Sequence, residues 1–191
     1  MRWLAVLLAL MLAGCATKMG KDGKTESMVD VKYLAKSEVD RIADTSRAEV
    51  MDGLLLIADK LYKRNPKEWK KAGVDSREAA LARLKNRFYR SLPELGGLRE
   101  GPAASLAFSE TYGGDRVAAL MLGLLTMADA AFEHKEEYYI LDSLNEQKFF
   151  NCARNMEVAV WKLGNDRDSA GNLFLLSNEL DPANRNLSFE R

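Results

Sequence analysis

Of the side chains that most often carry catalysis or cross-links, the chain has few: one histidine and two cysteines in 191 residues. A Ser-His-Asp triad, a Cys-His dyad and a histidine-rich metal site would all compete for His134. The motifs GxSxG, S-x-x-K and HExxH are absent. On an unbroken helix His134 and Cys152 would be 152 − 134 = 18 residues and about 27 Å apart, so only a sharp turn near Asp142 could pair them. Nucleophilic hydrolysis is therefore disfavoured. Charge of one sign is not in excess, with 28 basic against 28 acidic residues, which argues against nucleic acid as the main partner. A membrane-crossing run is lacking too: Trp3–Leu12 is 12 − 3 + 1 = 10 residues, about 15 Å of helix against a hydrocarbon core of roughly 30 Å. No stretch shows convincing period-2 alternation, which disfavours a β-rich fold.

What the N-terminus does contain is the three-part pattern of a secretory signal: the charge of Arg2, the apolar stretch, then small residues. Its end, LAGC, resembles the lipobox of bacterial lipoproteins. That resemblance implies cleavage before Cys15, a diacylglycerol on the Cys15 thiol and an acylated new amino group. Two or three acyl chains, palmitate among them, anchor stably where one is marginal. Ala16, which is not aspartate, points by the same resemblance to the outer membrane of a Gram-negative cell, facing the periplasm. Residues 1–14 are then signal peptide, and 15–30 a lipidated cysteine followed by a polar, glycine-containing flexible tether. Residues 31–181 form the helical domain and 182–191 an irregular tail. The mature chain keeps 191 − 14 = 177 residues, enough for a core. With Cys15 lipidated, Cys152 has no disulfide partner, and its setting FFNCARNMEV suits a small core residue better than a nucleophile.

Glycine and proline punctuate a series of helical patterns. Val39, Ala43, Ser46, Val50, Leu54, Ile57 and Leu61 recur at helical spacing and predict a helix over Ser37–Arg64, ended by Asn65-Pro66. A short turn around Trp69 follows and stops at Gly73. Asp75 is the expected cap of a helix carrying Leu81, Leu84 and Phe88, with Glu78 in the capping-box position. LPELGGLREGPAAS reads as a loop by composition. Asp115 caps a helix, Val117–Phe132, that is apolar almost all round apart from Thr126 and Asp129, and so belongs at the centre. Ser143 and Glu146 form a capping box before a helix whose stripe is Phe149, Ala153, Met156, Val160 and Leu163. A last helix is expected from Asp168 to Leu180. MDGLLLIADKLY also aligns with MLGLLTMADAAF, which admits a duplicated helical hairpin; Gly53 and Gly123 would then mark close crossings, and Asp59 and Asp129 equivalent polar contacts.

Several clusters are candidates for chemistry. His134 has Glu133, Glu136 and Glu137 beside it, compatible with metal ligation, although a solvated helix end accounts for them as well. Asp129 on its apolar helix is a candidate acid, or else the partner of a core-facing arginine. Asp166, Asp168 and Gly171 fit part of a calcium loop, but Ser177 stands where a bidentate carboxylate is needed, so a capping turn is the simpler reading. Gly113-Gly114 before Asp115 could meet an anion, or serve an ordinary N-cap. The densest surface feature is KLYKRNPKEWKK. Here Lys60, Lys63, Arg64, Lys67, Lys70 and Lys71 crowd around Tyr62 and Trp69, with Asp59 and Glu68 the only acidic residues nearby, either as a charged helix end or as a contact for anionic lipid headgroups, a cell-wall polymer or an acidic partner.

KLYKRNPKEW, PELGG, GDRVAALMLGL, EYYILDSLNEQKFFNCARNMEVAVWKL, LSNEL and NLSFER together resemble an uncharacterised family of proteobacterial lipoproteins over nearly the whole mature chain. The resemblance implies an envelope address and transfers no site. We expect an all-α fold, a single compact domain of five to six helices. It is tied to the membrane by its N-terminal lipid, has no cofactor, and acts as a non-enzymatic scaffold or assembly factor for an envelope protein. A cell-wall or lipid-acting enzyme using Asp129 and Glu133, and a small-ligand carrier with a cavity beside Val117–Phe132, stay open.

Overall fold

The computed structural model describes residues 36–86 and 92–177, and the backbone of residues 17–19 and 25–27. The signal peptide, Cys15, Phe88 and everything beyond Ser177 lie outside the described residues. Two compact units are distinguished: residues 1–44 with Glu137–Asp142, and Thr45–Glu136 with residues 143–191. In the first, Thr17–Met19 (β1) pairs antiparallel with Thr25–Ser27 (β2), within the segment that the sequence suggests is a flexible tether. The intervening sequence holds Asp22-Gly23, a pair suited to hairpin turns, which composition alone reads as flexibility.

Apart from that ribbon and one isolated bridge, the described chain is helical, as its periodicity predicts. The helices are α1 (Glu38–Arg64), α2 (Pro66–Lys71), α3 (Arg77–Lys85), α4 (Glu100–Leu106), α5 (Arg116–Ala131) and α6 (Glu146–Asn165). None of them is long and apolar enough to cross a membrane. In the larger unit the core gathers around α5, whose side chains are buried from Val117 to Asp129. Leu54, Ala58 and Leu61 of α1, Ala80 and Leu84 of α3, Ala103 and Ala104 of α4, and Cys152, Ala159 and Leu163 of α6 contribute to it, together with Leu92, Leu95 and Leu175.

Several local expectations are corrected. The turn around Trp69 is a helix, because Pro66 at its first position presets the helical φ and gives up an N–H that has no partner there anyway. Ser76, not Asp75, caps α3, its Oγ accepting from the Ala79 amide at 3.0 Å. The stretch read as a loop contains α4: Pro102 falls in the first turn, where proline is tolerated, and Ala103 and Ala104 are buried. Asn145 caps α6 in place of Ser143, accepting from the amides of Gln147 and Lys148. The buried stripe of α6 is Cys152, Ala159 and Leu163, while Ala153 and Val160 face outward. No helix starts at Asp168. Its carboxylate accepts from the amides of Ala170 and Asn172, and its own N–H donates to the Asn172 carbonyl, closing a turn beside the Arg167–Leu173 bridge with Gly171 at φ 83°.

The proposed internal similarity predicts close approach at both glycines, and only one has it. A Cβ on Gly123 would lie 2.5 Å from the Ala104 amide nitrogen and 2.6 Å from the Glu100 carbonyl, so α4 crosses α5 against bare backbone. Thr126 binds the same crossing, accepting from the Glu100 amide at 2.8 Å and donating to the Leu122 carbonyl at 2.8 Å. A Cβ on Gly53 meets nothing within 4 Å. Asp59 and Asp129 do each bind a distant arginine, Arg77 and Arg47 respectively.

The N-terminus of α5 ties the helices together. Asp115 Oδ1 accepts from the Ala118 amide at 2.9 Å, and Oδ2 accepts from the buried Tyr62 hydroxyl at 2.8 Å. The next amide, Arg116, donates to Glu68 Oε2 of α2 at 2.8 Å. The Arg116 guanidinium donates to the carbonyls of Ala107 and Ser109 where α4 ends, and lies over the Phe174 ring. Burial raises the Asp115 carboxyl above the usual aspartate range, outweighing the amide and hydroxyl that favour its charge.

Two stability predictions follow from these geometries. Gly123→Ala should cost about 1–3 kcal/mol by overpacking, whereas Gly53→Ala should be neutral or stabilise by up to about 1 kcal/mol, as read by urea unfolding. Asp115→Ala removes a cap and strands the Tyr62 hydroxyl, an expected loss of about 2–4 kcal/mol. Asp115→Asn keeps the acceptor for the Ala118 amide and can meet the Tyr62 hydroxyl only with the bond reversed, its amide donating. A carboxyl raised on folding takes up its proton in the native state first, so its ionisation is a cost at neutral pH that is relieved as pH falls. The stability of Asp115→Asn relative to wild type should therefore be greatest near pH 7 and decline toward acid.

Candidate functional site

Asp129, Glu133 and His134, separate in the sequence pattern, are brought to one corner of the larger unit where α5 ends. The cause is a left-handed exit: Glu133 has φ 54° and His134 φ 59°, two consecutive non-glycine residues in a region that costs each of them energy. The His134 amide donates to the Asp129 carbonyl at 2.8 Å, which curls the chain back on the helix end. His134 Nδ1 then lies 2.8 Å from Asp129 Oδ2. A carboxylate can only accept there, so Nδ1 is the donor in this contact, on a ring that is 62% exposed. Asp129 Oδ1 accepts from the Arg47 guanidinium of α1 at 3.1 Å. Asp129 is thus buried in an ion pair, as an aspartate on a core helix requires.

Glu133 turns the other way, to Lys148 Nζ of α6 at 2.7 Å. With Lys135, Ser143, Asn145, Glu146 and Gln147 it lines an open polar depression of about 660 Å³. An imidazole next to such a depression is compatible with proton transfer. Cys152 is a buried free thiol whose pKa burial pushes upward, away from thiolate chemistry. Among the described residues no group of three His, Cys, Asp or Glu side chains is disposed to hold a metal. The Asp168 carboxylate, considered for calcium, is engaged by its own turn.

The basic segment is largely occupied internally. Lys63 pairs with Asp59 at 2.6 Å, Lys71 with Glu68 at 2.7 Å, and Lys70 lies over the Trp69 ring, which itself packs on the core. The Arg64 guanidinium reaches the Lys60 carbonyl at 3.4 Å, and Lys67 stands exposed. Beside α5 the apolar spaces are small. One of about 90 Å³ lies between Leu54 and Ile57 of α1 and Met156 and Val160 of α6, and one of about 130 Å³ lies by Phe108 and Met127. Arg47 is the residue that sequence reasoning named only by kind. Its signal was a charge in register with Ala43, Leu54 and Ala58 on the inner face of α1.

The chain matches no protein-family model, no curated protein and no solved structure.

The ion pair yields a test of which partner matters. Arg47→Met leaves Asp129 buried without its guanidinium and should cost about 3 kcal/mol. His134→Ala removes a largely exposed partner and should cost less than about 1 kcal/mol. Chemical denaturation of the two variants gives this ranking directly.

Proposed function

We propose that this chain is a lipid-anchored protein of the bacterial envelope, held through Cys15 to the periplasmic face of the outer membrane, whose helical part binds another protein and performs no catalysis. The observation that carries this reading is an uncovered apolar arc on α6. At about 100° per residue, Met156, Val160, Ala153, Phe150 and Trp161 fall within one sector, interrupted by the exposed Glu157, and all but Met156 are exposed. Aromatic side chains left in water at this density suit a protein contact.

The occupant that fits is a helix with an apolar stripe. Ala153 and Gly164 keep the middle of the arc low, and the shallow cleft between α1 and α6 takes a side chain from it. The apolar spaces beside α5 are well below the roughly 300 Å³ of an ordinary ligand pocket, which favours this over small-ligand carriage. The Lys60–Lys71 segment is the second candidate contact. Among the described residues, His134 next to the polar depression is the feature that favours an enzyme acting on cell-wall or lipid material.

A photo-cross-linking residue placed at Trp161, and separately at Lys67, reads the contact in intact cells. One dominant protein adduct at Trp161, lost in Val160→Glu with the helical content unchanged, is expected. An adduct at Lys67 alone moves the contact to the basic segment. Absence of adducts at both positions overturns the binding role and leaves the His134 site as the one to assay.

A further inference from the structure

We propose that the turn Tyr139–Asp142 docks on the lipid bilayer itself, inserting Ile140 and Leu141 into the apolar boundary of the membrane that carries the anchor. The proposal rests on the lipid-anchor reading of Cys15. Tyr139 and Asp142 close the turn: the Tyr139 amide donates to Asp142 Oδ2 at 2.9 Å and the Asp142 amide donates to the Tyr139 carbonyl at 2.7 Å. The two central positions of such a turn are usually filled by glycine, proline, asparagine, aspartate or serine. Here they hold Ile140, 67% exposed, and Leu141, 95% exposed. No local backbone requirement calls for either side chain.

The turn is held in place. Asp44 Oδ1 accepts from the Tyr138 amide at 2.8 Å, and its other oxygen takes Lys36 Nζ. Lys36 Nζ is also 3.7 Å from Glu137 and 5.0 Å from the centre of the Tyr139 ring. The lysine side chain is almost wholly buried, so it rivets the base of the turn to the first turns of α1. A tip presented this way keeps its shape without a covering partner. In the same unit Val39 and Ile42 of α1 are 69% and 63% exposed.

A membrane fits better than a protein because of where the chain leads. Lys36 is 36 − 15 = 21 residues from Cys15, a span of at most about 75 Å, so the anchor holds this unit close to the bilayer. Under that constraint a contact of two aliphatic side chains, too weak alone, is met at high effective concentration. Tyr139 at the edge of the tip suits the headgroup level. Charge does not drive the contact: from Cys15 on, the sequence of this unit has Lys18, Lys21, Lys24, Lys32, Lys36 and Arg41 against Asp22, Glu26, Asp30, Glu38, Asp40, Asp44, Glu137 and Asp142, a balance of 6 − 8 = −2. Docking is therefore apolar, insensitive to salt and independent of anionic lipid.

The test uses the acylated full-length mature chain in vesicles of phosphatidylethanolamine and phosphatidylcholine, labelled with an environment-sensitive fluorophore at Leu141→Cys, at Ile140→Cys, or at Ser169→Cys as the control. Brominated lipids should quench the two turn labels at least twofold more than the control, unchanged by added salt. Quenching equal to the control, or abolished by salt, overturns the proposal. So does a turn label that shifts only when envelope proteins are added, which would assign the tip to a protein. Intact mass of the chain recovered from membranes reads acylation separately. A chain without acyl groups at Cys15 sinks the anchor reading and the docking with it, whereas an acylated chain with unquenched turn labels sinks the docking alone.

Discussion

Asp115 meets two requirements at once, and the helices of the larger unit are arranged around them. A helix apolar on nearly every side has to begin somewhere inside the protein, and its first amides need acceptors there. One carboxylate oxygen supplies the Ala118 amide and the other receives the Tyr62 hydroxyl from α1, while Glu68 of α2 takes the Arg116 amide. Arg116 in turn satisfies carbonyls at the end of α4. The start of the central helix is thus also the place where α1, α2 and α4 are fixed. Burying that much polar chemistry is tolerable because nearly every group in it has a partner.

The same economy explains why the basic segment looked more like a binding surface in sequence than it does in space. Asp59 and Glu68 were the only acidic residues in view, and each takes one of the lysines while also binding elsewhere: Asp59 to Arg77, Glu68 to Arg116. Trp69, which beside lysines suggests an interfacial ring, is needed by the core. At the other end of α5, Asp129 follows the general expectation for an aspartate on a core helix. Its arginine comes from α1, 82 residues earlier in sequence, and the histidine is carried to it by the left-handed exit.

Much of the fold was legible because it is written in periodicity: α5 follows its apolar pattern closely, and α1 has the expected extent although Val39, Ser46 and Val50 of its stripe are exposed. What was not legible depended on features that composition averages away. Pro102 and Gly101 suggest a loop, yet in the first turn of α4 they cost little. The stripe of α6 was misphased because spacings of three and four can be taken in either order. Phe149, Met156 and Leu163 belong to both versions, and only packing chooses Cys152 and Ala159 over Ala153 and Val160. Asp168 could cap a helix or close a turn with equal chemistry, and Gly171 at positive φ belongs to the turn. For the candidate site the residues were legible but their geometry was not, since no pattern forecasts two non-glycine residues in the left-handed region.

The bare-backbone crossing of α4 over Gly123 bears on how the chain comes to be folded. Without its neighbours α5 is a sixteen-residue apolar cylinder with no face fit for water. Its cap partner Tyr62 lies 53 residues before Asp115, and the hydroxyl of Thr126 answers an amide 26 residues before it. The helices that pack on α5, apart from α6, are therefore already synthesised when α5 emerges, and α6 follows within fifteen residues of its end. Chain order thus shortens the interval in which the most aggregation-prone segment stands uncovered. A rearranged chain carrying α5 ahead of α1 would keep every native contact and lose that protection.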